Sequence, residues 1–138
     1  MGCSVHKLVA DVALYADGEV LLVKYEDAKK YDGQAGWFLP DDYLRRVEHP
    51  ADAAARLVRE QLGIEPPQLV LAEIESFAGN DGTWHLIFHY RGDLAERVAL
   101  DCGPSVAEAH WFGLSDLPPA AEVAHHGWAL DVIGKMLV

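Results

Sequence analysis

Between residues 50 and 64 the chain spells one sharply bounded helix, and nearly everything around it is patterned as strand. Pro50 suits the first helical position, alanines fill the middle, and Gly63 stands where a C-terminal stop belongs. Pro66-Pro67 then bars continuation, so the helix is predicted over Pro50 to Leu62. Upstream, His6 to Tyr15 alternates loosely and reads as a strand, Asp17-Gly18 is a hairpin turn signal, and Glu19 to Tyr25 is the return strand. Glu26 to Gly36 is polar and reads as a loop, followed by the short apolar segment Trp37-Phe38-Leu39-Pro40. Downstream, Gln68 to Phe77 and Thr83 to Tyr90 read as two strands around Gly79-Asn80-Asp81-Gly82. Val106 to Phe112 is another strand, and an apolar helix from about Ala120 to Leu137 closes the chain. Strands enclosing one helix, with a second helix at the end, make an α+β layered domain.

Size and charge narrow the function classes. With 138 residues and no internal repeat, the chain reads as a single domain over 1–138. Its 51% apolar and 24% charged residues are ordinary for a soluble globular protein, and no apolar run approaches the ~20 residues of a membrane span. Met-Gly-Cys-Ser-Val-His at the start has no apolar core of a secretory signal, and His6 stands where myristoylation wants Ser or Thr. Two cysteines, Cys3 and Cys102, make neither a disulfide framework nor a thiolate metal cage, so the expected compartment is the cytoplasm. Eleven basic against 22 acidic residues give a net charge of −11, which argues against nucleic acid as a partner. Small anionic ligands stay open, because a divalent cation or a local basic pocket inverts the field.

Residues 37 to 64 carry the sharpest pattern. Trp-Phe-Leu-Pro-Asp-Asp is followed by Glu48 and then by Arg56-Leu-Val-Arg-Glu-Gln-Leu-Gly-Ile64. This resembles the Nudix box, G-x5-E-x7-R-E-U-x-E-E-x-G-U with U aliphatic, and the spacing fits without a gap. Asp42 falls on the box glycine, Glu48 on the first glutamate, Arg56 on the arginine and Glu60 on the first of the paired glutamates. Gly63 and Ile64 close the pattern, and the opening hairpin, Trp111 to Pro119 and the last helix sit where the family has them. The resemblance covers essentially the whole chain. It implies a mixed sheet sandwiched between helices (α/β/α), with the box forming loop, helix and loop.

The family's activity is metal-assisted attack of water on a nucleoside diphosphate linked to another group, with Mg²⁺ or Mn²⁺ held by helix glutamates. In this chain Leu57 and Gln61 replace two of those glutamates, leaving Glu60 as the implied metal ligand and catalytic residue. A single carboxylate is a poor site for a hard cation. Asp41 and Asp42 replace the usual Gly-Gly, and are candidates to supply the missing oxygens. Glu48 and Arg56 are both present, and in the family this pair braces the loop against the helix.

Outside the box, Thr83 to Tyr90 puts His85, Ile87 and His89 on one strand face. His85 and His89 are candidate ligand-binding or acid–base residues. The plain structural reading is that they hydrogen-bond within the sheet. Asp11 interrupts the apolar run Val9 to Ala13, where an unpaired carboxylate is costly, so it needs a basic, hydroxyl or metal partner. Asp11, Asp42, His85 and His89 are therefore the candidate substrate-binding set. Glu73 and Glu75 lie where relatives sometimes place a catalytic base, although strand alternation explains them equally well. Lys7, Lys24 and Arg91 are candidate phosphate contacts with solvated surface as the default, whereas Trp37 and Phe38 read as core.

Three readings remain open: a metal-dependent hydrolase with a rebuilt site, a module that binds a nucleotide-like small molecule without cleaving it, and a pocket running other chemistry through the histidines and aspartates. Leu57 packed in the core, with Asp41 and Asp42 in solvent, would favour the second, and a carboxylate cluster around Glu60 the first. Many relatives pair as dimers, so the resemblance admits a homodimer.

Overall fold

The computed structural model describes residues 6–27, 35–79 and 82–136. Asn80, Asp81, Cys3 and most of the 26–36 loop lie outside the described residues. The strands are β1 (His6–Ala16), β2 (Glu19–Tyr25), β3 (Asp41–Tyr43), β4 (Leu69–Ala78), β5 (Trp84–Asp93) and β6 (Val106–Gly113). They form one mixed sheet in the order β4-β5-β1-β2-β6. β1 runs parallel to β5, so the implied mixed sheet is present.

The other edge of β1 is divided between two partners, and this division positions the loop before the helix. Its C-terminal end meets β2 through Tyr15 and Ala16, while Val9, Ala10 and Asp11 face Tyr43, Asp42 and Asp41 of β3. The turn between β1 and β2 falls on Asp17-Gly18, where both residues adopt positive φ. The sequence offered no separate strand at 41–43. Its three residues pair only because β2 has already diverged from β1 at that point.

Each sheet face carries one helix. Helix α1 (Pro50–Leu57) is capped by His49, whose Nδ1 accepts from the Ala51 amide at 3.0 Å, and Pro50 occupies its first turn. It buries Ala53, Ala54 and Leu57 against Ala10, Val12, Leu14, Leu21 and Val23. Helix α2 (Ala124–Met136) buries Ala129, Val132 and Ile133 against Ala13, Tyr15, Val20 and Leu22 on the opposite face. Alternation along β1 and β2 thus feeds two cores, as strands covered on both faces must.

Both helices depart from the expected outline. The predicted helix over 50–62 is α-helical only to Leu57, and Val58–Leu62 is a π-helical turn. It ends on Gly63 at φ +67°, where a side chain would collide with the Asp101 carbonyl. Asp101 and Gly103 donate their amides to the carbonyls of Leu62 and Gln61 at 2.9 and 3.0 Å, satisfying the orphan acceptors of the helix end. The closing helix expected from Ala120 begins instead with a 3₁₀ turn at Ala120–Glu122. His125, His126 and Gly127 then take left-handed conformations, so the regular helix starts after them. A left-handed conformation costs roughly 1–2 kcal/mol per non-glycine residue, and the local sequence gave no signal for it.

Candidate functional site

Arg56 organises the ground between α1 and the loop that precedes it. Its Nε and Nη2 make a forked contact with the Glu48 carboxylate at 2.9 and 3.0 Å. Nη1 reaches Asp42 Oδ2 at 3.0 Å, and Nη2 also donates to the Tyr43 carbonyl at 3.1 Å. Such planar, bidentate pairing is what a guanidinium does better than an ammonium. Hydrogen bonds from Arg56 hold the Glu48 carboxyl below its ordinary range, and the Arg45 amide adds to them at 2.9 Å. The hydrogen bonds that Arg56 donates to Glu48, with help from Asp42, push its guanidinium further up despite its partial burial. The expected brace between Glu48 and Arg56 is therefore formed, and Asp42 joins it.

The three helix positions 57, 60 and 61 have three different environments. Leu57 is fully buried in the core beneath the helix. Gln61 is 4% exposed, and its amide makes two structural contacts. Nε2 donates to the Asp41 carbonyl at 2.7 Å, and Oε1 accepts from the Tyr25 hydroxyl at 2.9 Å. Tyr25 in turn accepts the Asp41 amide at 2.8 Å, which closes a ring joining β2, the start of β3 and the helix. Glu60 alone turns outward, with its side chain 50% exposed. Its oxygens meet Arg45 Nη2 at 3.2 Å and Arg56 Nη1 at 3.4 Å.

The two loop aspartates separate for a simple reason. Consecutive residues of a strand point to opposite faces. Asp42 lies opposite Ala10 and faces α1, where Arg56 takes it. Asp41 lies opposite Asp11 and belongs to the α2 face. The pair therefore does not converge on Glu60. Among the described residues, no group of three or more His, Cys, Asp or Glu side chains is placed to hold a metal ion.

Asp11 and His89 meet on the α2 face, and they bring Glu75 with them. His89 Nδ1 lies 2.7 and 2.8 Å from the two Asp11 oxygens, and Nε2 lies 2.6 Å from Glu75 Oε1. Asp11 and His89 are fully buried, while the Glu75 side chain keeps 19% exposure. The Trp128 ring of α2 lies 5.3 Å from that of His89. Burial raises the Asp11 carboxyl above its ordinary value, partly offset by His89. Burial alone would lower His89, but hydrogen bonds to Asp11 and then to Glu75 outweigh it and raise the ring. The basic partner that Asp11 required is thus His89, and both Asp11 oxygens are spent on it.

His85 stands apart from this unit, stacked on Phe77 with ring centroids 5.0 Å apart and planes within 7°. Phe38 is core, as expected, and Trp37 packs against Phe112. Lys24 lies over the Trp37 ring and pairs with Glu108, and Arg91 pairs with Asp93. Glu73 is 3.8 Å from Lys135. Sequence reasoning missed Tyr25, Arg45 and the structural duty of Gln61. Only a buried neutral residue at a position the family fills with charge hinted at the last.

This geometry is a braced loop, helix and second loop on a mixed sheet, and the NUDIX domain model matches residues 5–131. The chain belongs to the Nudix family. Among solved structures, a MutT NUDIX hydrolase from Burkholderia pseudomallei is similar over 94% of this chain and 96% of its own, at 21% identity and TM-score 0.77. The NUDIX domain of Shewanella oneidensis NrtR, described in complex with ADP ribose, covers 98% of this chain and 87% of its own at 20% identity and TM-score 0.75. A C. elegans Ap4A hydrolase covers 95% and 97%, at 19% identity and TM-score 0.70. At these identities the likeness is one of fold. Among curated proteins none matches. No helix among the described residues is long and apolar enough to cross a membrane.

Nudix hydrolases generally use a divalent metal, and the residues of this box do not fit the usual one. Position 57 is apolar and faces the core. Position 61 is neutral and spends its amide on Asp41 and Tyr25. Asp42 and Glu48 are held by Arg56. That leaves Glu60, already neutralised by two guanidinium groups, where Mg²⁺ wants several hard, anionic oxygens.

Proposed function

We propose that this Nudix chain is a binding module for a small nucleotide-like ligand and does not cleave it through the family's metal site. One observation carries the reading. Of the three helix positions that would face a metal, Leu57 is in the core, Gln61 is a buried tie, and only Glu60 reaches solvent. Restoring the metal site would require turning a core residue outward and breaking the ring of Tyr25, Asp41 and Gln61.

Cation for the ligand is available without a metal. Arg56 is saturated by Glu48, Asp42 and Tyr43, but the Arg45 side chain is 64% exposed and held only loosely to Glu60. A solvent-exposed pair of this kind contributes about 0–1 kcal/mol, so an incoming phosphate displaces Glu60 at little cost. Asp42 serves the site by fixing Arg56, and thereby the loop that carries Arg45. The alternative, metal-dependent hydrolysis, rests on the fold's neighbours, which include hydrolases and an ADP-ribose pyrophosphatase.

Titration calorimetry with ADP-ribose and with inorganic pyrophosphate tests the proposal, each with EDTA and with excess Mg²⁺. Binding that is indifferent to the chelator, with neither compound hydrolysed, is expected. Saturable Mg²⁺ or Mn²⁺ binding to the ligand-free protein that disappears in Glu60→Gln would overturn it.

A further inference from the structure

The Asp11–His89–Glu75 unit links a fully buried carboxylate to one that reaches the surface. Both oxygens of Asp11 face Nδ1, and Glu75 Oε1 faces Nε2. Neither contact is favourable unless a hydrogen lies between the two heavy atoms, so the unit holds a hydrogen on each side of the ring. His89 is fully buried, so each of its ring nitrogens needs a partner: Asp11 serves Nδ1 and Glu75 serves Nε2. Glu75 adds a second charged bond and carries the unit to the surface, where its side chain is 19% exposed. Among the described residues its other oxygen, Oε2, has no hydrogen-bond partner. A carboxylate pinned through one oxygen by a charge-assisted bond presents the other as a fixed acceptor.

An aromatic surface lies beside that acceptor. Phe77 follows Glu75 by two residues on the same face of β4, roughly 6.8 Å along the strand. It is 40% exposed and stacks on His85, its cross-strand partner on β5. Ile87 is opposite Glu75 and lays a buried apolar floor between them. The charged groups around the unit are otherwise engaged: Glu73 pairs with Lys135, and Arg91 with Asp93.

We propose that this shelf of Glu75, Ile87, Phe77 and His85 binds a flat heterocycle bearing an N–H donor, such as an aminopurine, with Glu75 Oε2 accepting from the amine and the Phe77–His85 pair supplying the stack. Carboxylates accept from exocyclic amines of bases, and aromatic side chains stack on bases irrespective of their identity. The acceptor therefore sets specificity and the stack supplies affinity. Asp11 and His89 are positioning residues that act through Glu75. The inference rests on the ligand-binding reading for its class of ligand, but on a different set of residues, on the face opposite α1.

The test uses the full chain and nucleosides without phosphate. Adenosine and purine riboside, which lacks the amine, are titrated while the NMR signals of Phe77 and His85 are followed. Adenosine is expected to saturate and to bind about tenfold tighter or more, the order of one charge-assisted hydrogen bond. In Glu75→Gln the amide oxygen must face the His89 N–H, which turns the outward acceptor into a donor. Adenosine then loses its advantage while purine riboside is unchanged, a split that a purely structural role for Glu75 would not produce. Phe77→Ala, at an exposed position that does not endanger the fold, weakens both nucleosides alike. Equal binding of the two nucleosides, a preference surviving in Glu75→Gln, or no saturable change at Phe77 and His85 would overturn the proposal. If pyrophosphate binds and adenosine does not, this inference falls while the reading of the box stands. If neither binds, both fall.

Discussion

Gln61→Glu restores the residue type the Nudix box carries at that position, and its cost follows from the atoms around it. The amide nitrogen that now donates to the Asp41 carbonyl at 2.7 Å becomes a carboxylate oxygen facing a carbonyl oxygen at a site 4% exposed. The Tyr25 hydroxyl still donates to the other oxygen. A protonated glutamic acid would reproduce the lost donor, so the penalty is capped by the cost of protonation. From a reference value near 4.3, holding the acid form at pH 7.3 costs about 4 kcal/mol, at 1.36 kcal/mol per pH unit. At pH 5.3 the same cap is about 1.4 kcal/mol. The folded-state value of the new carboxyl lies above its unfolded one. Stability is therefore retained at low pH and lost as pH rises from about 4 through that raised value. We expect a loss of about 2–4 kcal/mol at pH 7.3, shrinking to about 1 kcal/mol at pH 5.3, measured by urea unfolding followed by circular dichroism. A loss below about 0.5 kcal/mol, independent of pH, would refute the reasoning. So would selective stabilisation of the variant by Mg²⁺, because it would mean that position 61 looks onto a cation and not onto Asp41.

Other perturbations probe the remaining ties. Arg56→Lys keeps one charge but loses the fork to Glu48 and the contacts to Asp42 and Tyr43, so urea unfolding should show a loss of about 2–4 kcal/mol. Because Glu48 titrates lower in the folded state than in the unfolded one, its contribution is full above about pH 4.5 and is lost as pH falls through the lowered value. Wild type should therefore lose more stability than Arg56→Lys between pH 5 and 3. Leu57→Glu should fail to fold at neutral pH, read as the loss of a cooperative melt, since it places an unpaired carboxylate in the core. His89 is held above its unfolded value by Asp11 and Glu75, so its contribution is full below about pH 6.5 and is lost as pH climbs through the raised value. Long-range ¹H–¹⁵N correlation should find both ring nitrogens still protonated above about pH 6.5, and a ring that loses its proton below that value would contradict the hydrogen placement argued for the unit.

Local chemistry made much of this fold legible. Pro50 and Gly63 bound the helix, Asp17-Gly18 turns the first hairpin, and the spacing of Glu48 and Arg56 puts the brace where the family has it. These features are written by residues within a turn or two of one another, so reading the chain in order is enough. The oddity of Asp11 was equally legible, because a carboxylate inside an apolar strand needs a partner whatever the fold.

The identity of that partner was not legible, since His89 is 78 residues away and reaches Asp11 only through the parallel pairing of β1 with β5. The same limit applies to positions 57, 60 and 61. Their spacing places them near one another on a helix, and the tertiary packing decides that Leu57 and Gln61 turn inward while Glu60 turns out. Asp41 and Asp42 looked interchangeable as neighbours in sequence, and became opposites once β3 paired with β1 and strand alternation sent one to each face. Sequence by itself determined the family, most of the strands, the start of the first helix and the brace, because those depend on local conformation and on spacing along the chain. Which carboxylates stand free to meet a ligand was decided only by the tertiary structure, because each one's partner comes from another strand, helix or loop.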